Sequence, residues 1–132
     1  MKGTNNISDY ASYFHDGSIL DIHQAADEIL ISMESAELAE GKITDEVLLS
    51  SDQRLKGILH LKKPGRILIN DKPPEKALKM LADSGEVLRF SVSAEGIQLF
   101  IEWTNYPPKN NVQLYTNLLI DAEEIFWENK PD

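Results

Sequence analysis

Between Glu86 and Trp103 the chain reads EVLRFSVSAEGIQLFIEW, and no other stretch restricts the fold as strongly. Apolar and polar residues alternate on both sides of Ala94-Glu95-Gly96, with the period of a strand. The stretch folds as a hairpin with Glu95-Gly96 as a two-residue turn or Ala94–Ile97 as a four-residue loop; both set Ser93 opposite Gln98. Leu88 then faces Trp103, Phe90 faces Ile101 and Val92 faces Leu99, while Arg89 meets Glu102 on the other side. A slip of one residue would set Arg89 against Ile101 and Leu88 against Glu102, so the pattern selects one register.

Upstream, Ser8-Asp9 offers capping oxygens, Tyr10, Tyr13 and Phe14 follow at helical spacing, and Gly17 is a stop signal. This predicts a short helix docked by its aromatic side. Ser18–Gln24 and Ile29–Ser35 predict a hairpin about the loop Ala25–Glu28, with Leu20 opposite Met33 and Ile22 opposite Ile31. Thr44–Ser51 fits a short strand or one turn of helix. Leu55–Leu61 and Arg66–Asn70 read as two strands around Lys62-Lys63-Pro64-Gly65, because Pro-Gly is a strong turn signal. Pro74 suits the first turn of a second helix with Ala77, Leu78 and Leu81 as its apolar stripe. Asn105–Asn111 contains Pro107-Pro108 and is excluded from a central strand. Val112–Ile120 alternates, and Ala122–Glu128 reads as its continuation past a bulge, with Ile125 and Trp127 on one face. The expectation is an α+β, mainly β chain: an antiparallel sandwich or strongly curved sheet of about seven or eight strands with two short helices.

With 132 residues and 42% hydrophobic content, one domain with a real core is expected over 1–132, with 1–7 and 129–132 as flexible ends. The absence of cysteine excludes disulfides, thiolate metal sites and a thiol nucleophile. MKGTNNISDY has no apolar run, and no stretch approaches the roughly 18 apolar residues of a membrane-spanning helix, so a soluble, cytoplasmic protein with no membrane partner is expected. The net charge of −9 is uneven: residues 54–79 hold 8 bases and 2 acids, whereas the flanking segments are acidic. The basic segment either pairs with acidic neighbours or forms a patch for an anionic ligand. The acidic balance makes nucleic acid an unlikely partner and favours a basic protein.

Motifs for catalysis are absent: there is no phosphate loop, nucleophile elbow or metal-binding His spacing. His15-Asp16-Gly17 is the most suggestive tripeptide, because a His beside a carboxylate can act as a base, a ligand or a pH-sensitive contact. The same residues also make a good helix end and turn. His23 and His60 fall in strands without a partner in spacing. Glu102, Asp121, Glu123 and Glu124 could pair for acid–base work, but Glu102 has a simpler partner in Arg89. Trp103, Asn105 and Tyr106, beside two prolines, form the best contact surface, since stiff aromatic side chains bind with little ordering cost. The competing reading is that Trp103 and Tyr106 pack a sheet end. No cofactor is expected.

The run Tyr13-Phe14-His15-Asp16-Gly17-Ser18-Ile19-Leu20-Asp21-Ile22, with Met33-Glu34-Ser35, Ile101-Glu102-Trp103 and Ile125-Phe126-Trp127-Glu128-Asn129, resembles small uncharacterised bacterial β-rich domains. Some of these are similar to immunity proteins of toxin systems. The resemblance implies an interaction role and supplies no catalytic residues. Three readings follow. The first is a non-enzymatic protein-binding module, immunity-like, with a basic partner. The second is a small-molecule binder or unrecognised enzyme with a pocket near His15, Asp16 and the 103–108 loop. The third is a homodimer joined through an edge strand.

Overall fold

The computed structural model describes residues 11–38, 49–93, 96–104 and 114–131. Its strands are β1 (Ser18–Gln24), β2 (Glu28–Glu34), β3 (Lys56–Ile69), β4 (Ser84–Val92), β5 (Gly96–Thr104) and β6 (Leu114–Asn129). They close into an antiparallel barrel in the order β1-β2-β3-β6-β5-β4. The expected sandwich or strongly curved sheet of about seven or eight strands with two short helices is corrected to this barrel; its antiparallel, β-rich character stands. Among the described residues there are six strands, and the helical content is one 3-10 turn at Ala11–Phe14.

The strand count falls because β3 and β6 are long and continuous. Lys62-Lys63-Pro64-Gly65 does not reverse the chain; it bends β3, with Lys63 at a φ of 51° and a register shift between Pro64 and Ile67. The ladder to β2 stops at Lys62. The bend therefore falls where β3 has a neighbour on one side only, the position that tolerates a proline. β6 pairs with β3 on both sides of the bend, from Leu118 opposite Ile69 to Asn129 opposite Gly57.

The two hairpins keep their predicted partners in part. In β1–β2, Ile22 does face Ile31, but a shift between Ile19 and Asp21 leaves Leu20 39% exposed and brings Ile19 to Met33. In β4–β5 the Ser93 N–H donates to the Gly96 carbonyl at 2.9 Å, and Val92 faces Ile97. Ser93 is therefore not opposite Gln98; Ser91 is. Gly96 is a buried strand residue packed on the Ile120 carbonyl, where a Cβ would overlap the backbone. A second shift between Val87 and Arg89 then inverts the facing. Val87 enters the core in place of Leu88, Arg89 falls opposite Phe100, and Glu102 faces Glu86. The predicted Arg89–Glu102 cross-strand pair is corrected by the register set at the turn, where Val92 meets Ile97 rather than Leu99 and Arg89 therefore meets Phe100; the bulge beyond Arg89 then brings Glu86, rather than Val87, opposite Glu102.

The core alternates along the strands: Ile29, Ile31 and Met33 from β2, Leu59 and Leu61 from β3, and Leu99 and Ile101 from β5 are fully buried. The 3-10 turn inserts Phe14, whose ring lies edge-on to Phe90 at 5.6 Å and to Trp127 at 5.2 Å. Barrel closure is short. β1 meets β4 only at Ser18–Glu86 and Ile19–Gly85, extended by backbone bonds from Val87 N–H to the Gly17 carbonyl (2.9 Å) and from Asp16 N–H to the Val87 carbonyl (2.8 Å). Past Ile19, an irregular strap over residues 72–83 runs beside β1. The helix expected from Pro74 does not form. The Leu78 N–H donates to Gln24 Oε1 at 2.8 Å rather than to a carbonyl one turn back, and so short a helix would be marginal on its own.

Candidate functional site

The outer face of β4, β5 and β6 collects the acidic and aromatic groups. Three residues form one cross-strand row: Glu86 on β4, Glu102 on β5 and Tyr115 on β6. Asp16 joins the row at its β4 end, held by its backbone bond to Val87 and by a φ of 68° that Asp tolerates better than most residues. His15 Nδ1 lies 3.7 Å from Asp16 Oδ1, with both side chains largely in solvent. The Glu86 carboxyl is pushed above its ordinary value, first by partial burial, then by the Asp16 and Glu102 carboxylates, and further by its hydrogen bond with Asp16. His15 opposes this weakly. Tyr115 hydrogen-bonds to Glu102, and partial burial together with that carboxylate pushes the phenol up.

The next part of the face is apolar. Phe100 and Tyr115 stack at 5.8 Å with an interplanar angle of 14°, and both rings reach solvent at 36% and 39% exposure. Sheet alternation alone puts Phe100 and Tyr115 outside, because Leu99, Ile101 and Thr116 take the inside.

The residues singled out in the sequence do not gather in one place. His15 and Asp16 stand on this outer face. Trp103 is on the other side of the same wall, 7% exposed inside the barrel, with its indole N–H donating to Thr116 Oγ1 at 2.8 Å. Asn105 and Tyr106 lie outside the described residues. Asp121 stands 3.5 Å from Arg66, and Glu123 and Glu124 are exposed.

Spacing did not reveal the arrangement around His60. Its Nδ1 is 2.7 Å from Glu28 Oε2 and its Nε2 is 2.8 Å from Glu128 Oε1, and the ring stacks on Phe126 at 4.4 Å. An ionised carboxylate only accepts, so the ring makes both bonds to ionised carboxylates at once only when it carries hydrogen on both nitrogens. The hydrogen bond from His60 holds Glu128 below the usual carboxylate range against the opposing effect of burial, and Lys130 adds to the effect. With both nitrogens occupied, this imidazole has none left for a substrate, and it ties β2, β3 and β6 together. The chain matches no family model, no curated protein and no solved structure.

Proposed function

We propose that this chain is a non-enzymatic binding module that engages a basic protein partner through the outer face of β4, β5 and β6, in the manner of an immunity-like inhibitor. The observation that carries the reading is Glu86 directly opposite Glu102, with Asp16 against it. Like charges across a strand pair destabilise a sheet. Arg89, the nearest base along β4, lies opposite Phe100. A cationic side chain from a partner would relieve the repulsion, and the exposed Phe100–Tyr115 stack beside it offers stiff apolar contact of the kind that dominates interfaces. Acidic charge on this face would also steer a basic partner during encounter.

The test is capture from the source cell's lysate at low and high salt, followed by binding measurements with the purified partner. A stoichiometric basic protein is expected, with association that slows steeply as salt rises. The variant Glu86→Gln/Glu102→Gln should fold normally and lose about tenfold or more in association rate. A complex that this variant forms as fast as the wild type, or a partner that is not basic, would sink the reading.

A further inference from the structure

A cavity of about 440 Å³ opens where the strap crosses the barrel interior, within the roughly 300–1,000 Å³ of typical small-ligand sites. Its inner wall is apolar: Ile22, Ile69, Ile101 and Leu118 come from four different strands, and Leu78 and Leu81 come from the strap. The polar groups on that wall, the Trp103 indole and the Thr116 hydroxyl, are bonded to each other at 2.8 Å. The interior therefore favours an apolar body.

The rim has the opposite character. Lys72, Lys76 and Lys79 line it, with Glu75 as the single carboxylate among the lining residues. All three lysines are exposed, and among the described residues none of them forms an ion pair. Three of the other five bases of the 54–79 segment are engaged elsewhere: Arg54 with Asp52, Arg66 with Asp121, and Lys62 over the Phe126 ring. Three unpaired ammonium groups around the mouth of an apolar cavity, in a chain of net charge −9, are a local reversal of sign.

We propose that this cavity binds an amphipathic monocarboxylate, with its hydrocarbon body between the strap and the barrel wall and its carboxylate among Lys72, Lys76 and Lys79. The site is on a different part of the molecule from the acidic face and does not depend on it. Because the rest of the surface is acidic, the attraction is short-ranged, acting within about a Debye length of the rim.

The probe is dodecanoate below its micelle concentration, titrated calorimetrically into the whole chain and followed by the Trp103 indole N–H resonance. Saturable one-to-one binding that shifts this resonance is expected, with dodecyltrimethylammonium, of the same chain length and opposite charge, failing to bind. Replacing all three lysines (Lys72→Gln/Lys76→Gln/Lys79→Gln) should weaken dodecanoate by about tenfold or more, since three exposed charge contacts together reach that range. These side chains are exposed, so the variant should fold. Ala77→Trp, at the exposed lip, should block entry and abolish binding. Absence of saturable binding, equal binding of the cationic analogue, or a triple variant that binds as tightly as the wild type would each overturn the proposal.

Discussion

The β3–β6 wall and the β1–β4 seam close the same barrel by opposite means. The wall runs from Gly57–Asn129 to Ile69–Leu118, carries Trp127 on its inner side, and is cross-tied outside by His60 between Glu28 and Glu128. The seam has two paired positions, a glycine at one of them, and a cluster of carboxylates outside. Charge strengthens the wall and weakens the seam. Stability in this fold is thus concentrated on one side, and the side that is least bound together carries the candidate binding face. Binding surfaces are often drawn from the less stable parts of a structure.

The largest effect should come from Trp127→Ala, which empties the packing around Phe14 and should cost about 3–5 kcal/mol in urea unfolding. His60→Ala removes the donor shared by Glu28 and Glu128, leaving Glu128 with Lys130, and should cost about 1–3 kcal/mol. If it costs nothing, the wall is held by packing alone. On the seam side, Glu86→Gln should raise stability at neutral pH by less than about 1 kcal/mol, since the group is exposed and screened. A loss of stability would mean that the carboxylate row holds the seam together.

The pH dependence of the two regions should have opposite signs. Glu128 titrates below its ordinary value of 4.5 in the folded chain, so its contribution is present above that value and is lost as pH falls through the depressed folded value. Glu86 titrates above 4.5 when folded, so its contribution is present below that value and is lost as pH rises through the elevated folded value. Amide exchange can separate them. After correction for intrinsic rates, the Asp16 and Val87 amides should open more readily as pH rises past the carboxylate range. Those of Leu59 and Leu61 should not.

Much of the barrel could be read from alternation, and what could not depends on single inserted residues. The inward set Phe90, Leu99, Ile101 and Trp103 follows from the period of two, and so does the facing of Ile22 and Ile31. The bulges at Leu20 and Leu88 carry no turn residue, so nothing local announces that the faces exchange there. The Glu86–Glu102 pair follows from the register at the turn together with the second bulge, and neither can be read from the alternation. Pro64-Gly65 and Gly96 misled in the reverse way: each looks like a turn, but one is a bend at the end of the β2 ladder and the other answers a close approach to Ile120. The strap failed because Gln24, distant in sequence, takes the Leu78 amide. The basic character of 54–79 was plain from composition. Which of its lysines meet at one cavity depends on where the strap crosses the barrel.

The order in which strands leave the ribosome sets a schedule for the wall. β1–β2 and β4–β5 are neighbours in sequence and can pair as soon as they emerge, whereas β6 is the last strand and sits between β3 and β5. Until it arrives, both of those strands present open edges lined with Leu59, Leu61, Leu99 and Ile101, the kind of surface that recruits other chains. Closure across so many intervening residues is also slow. The barrel is therefore most exposed just before β6 is made, and a chain stopped before Leu114 should aggregate rather than persist as a smaller barrel.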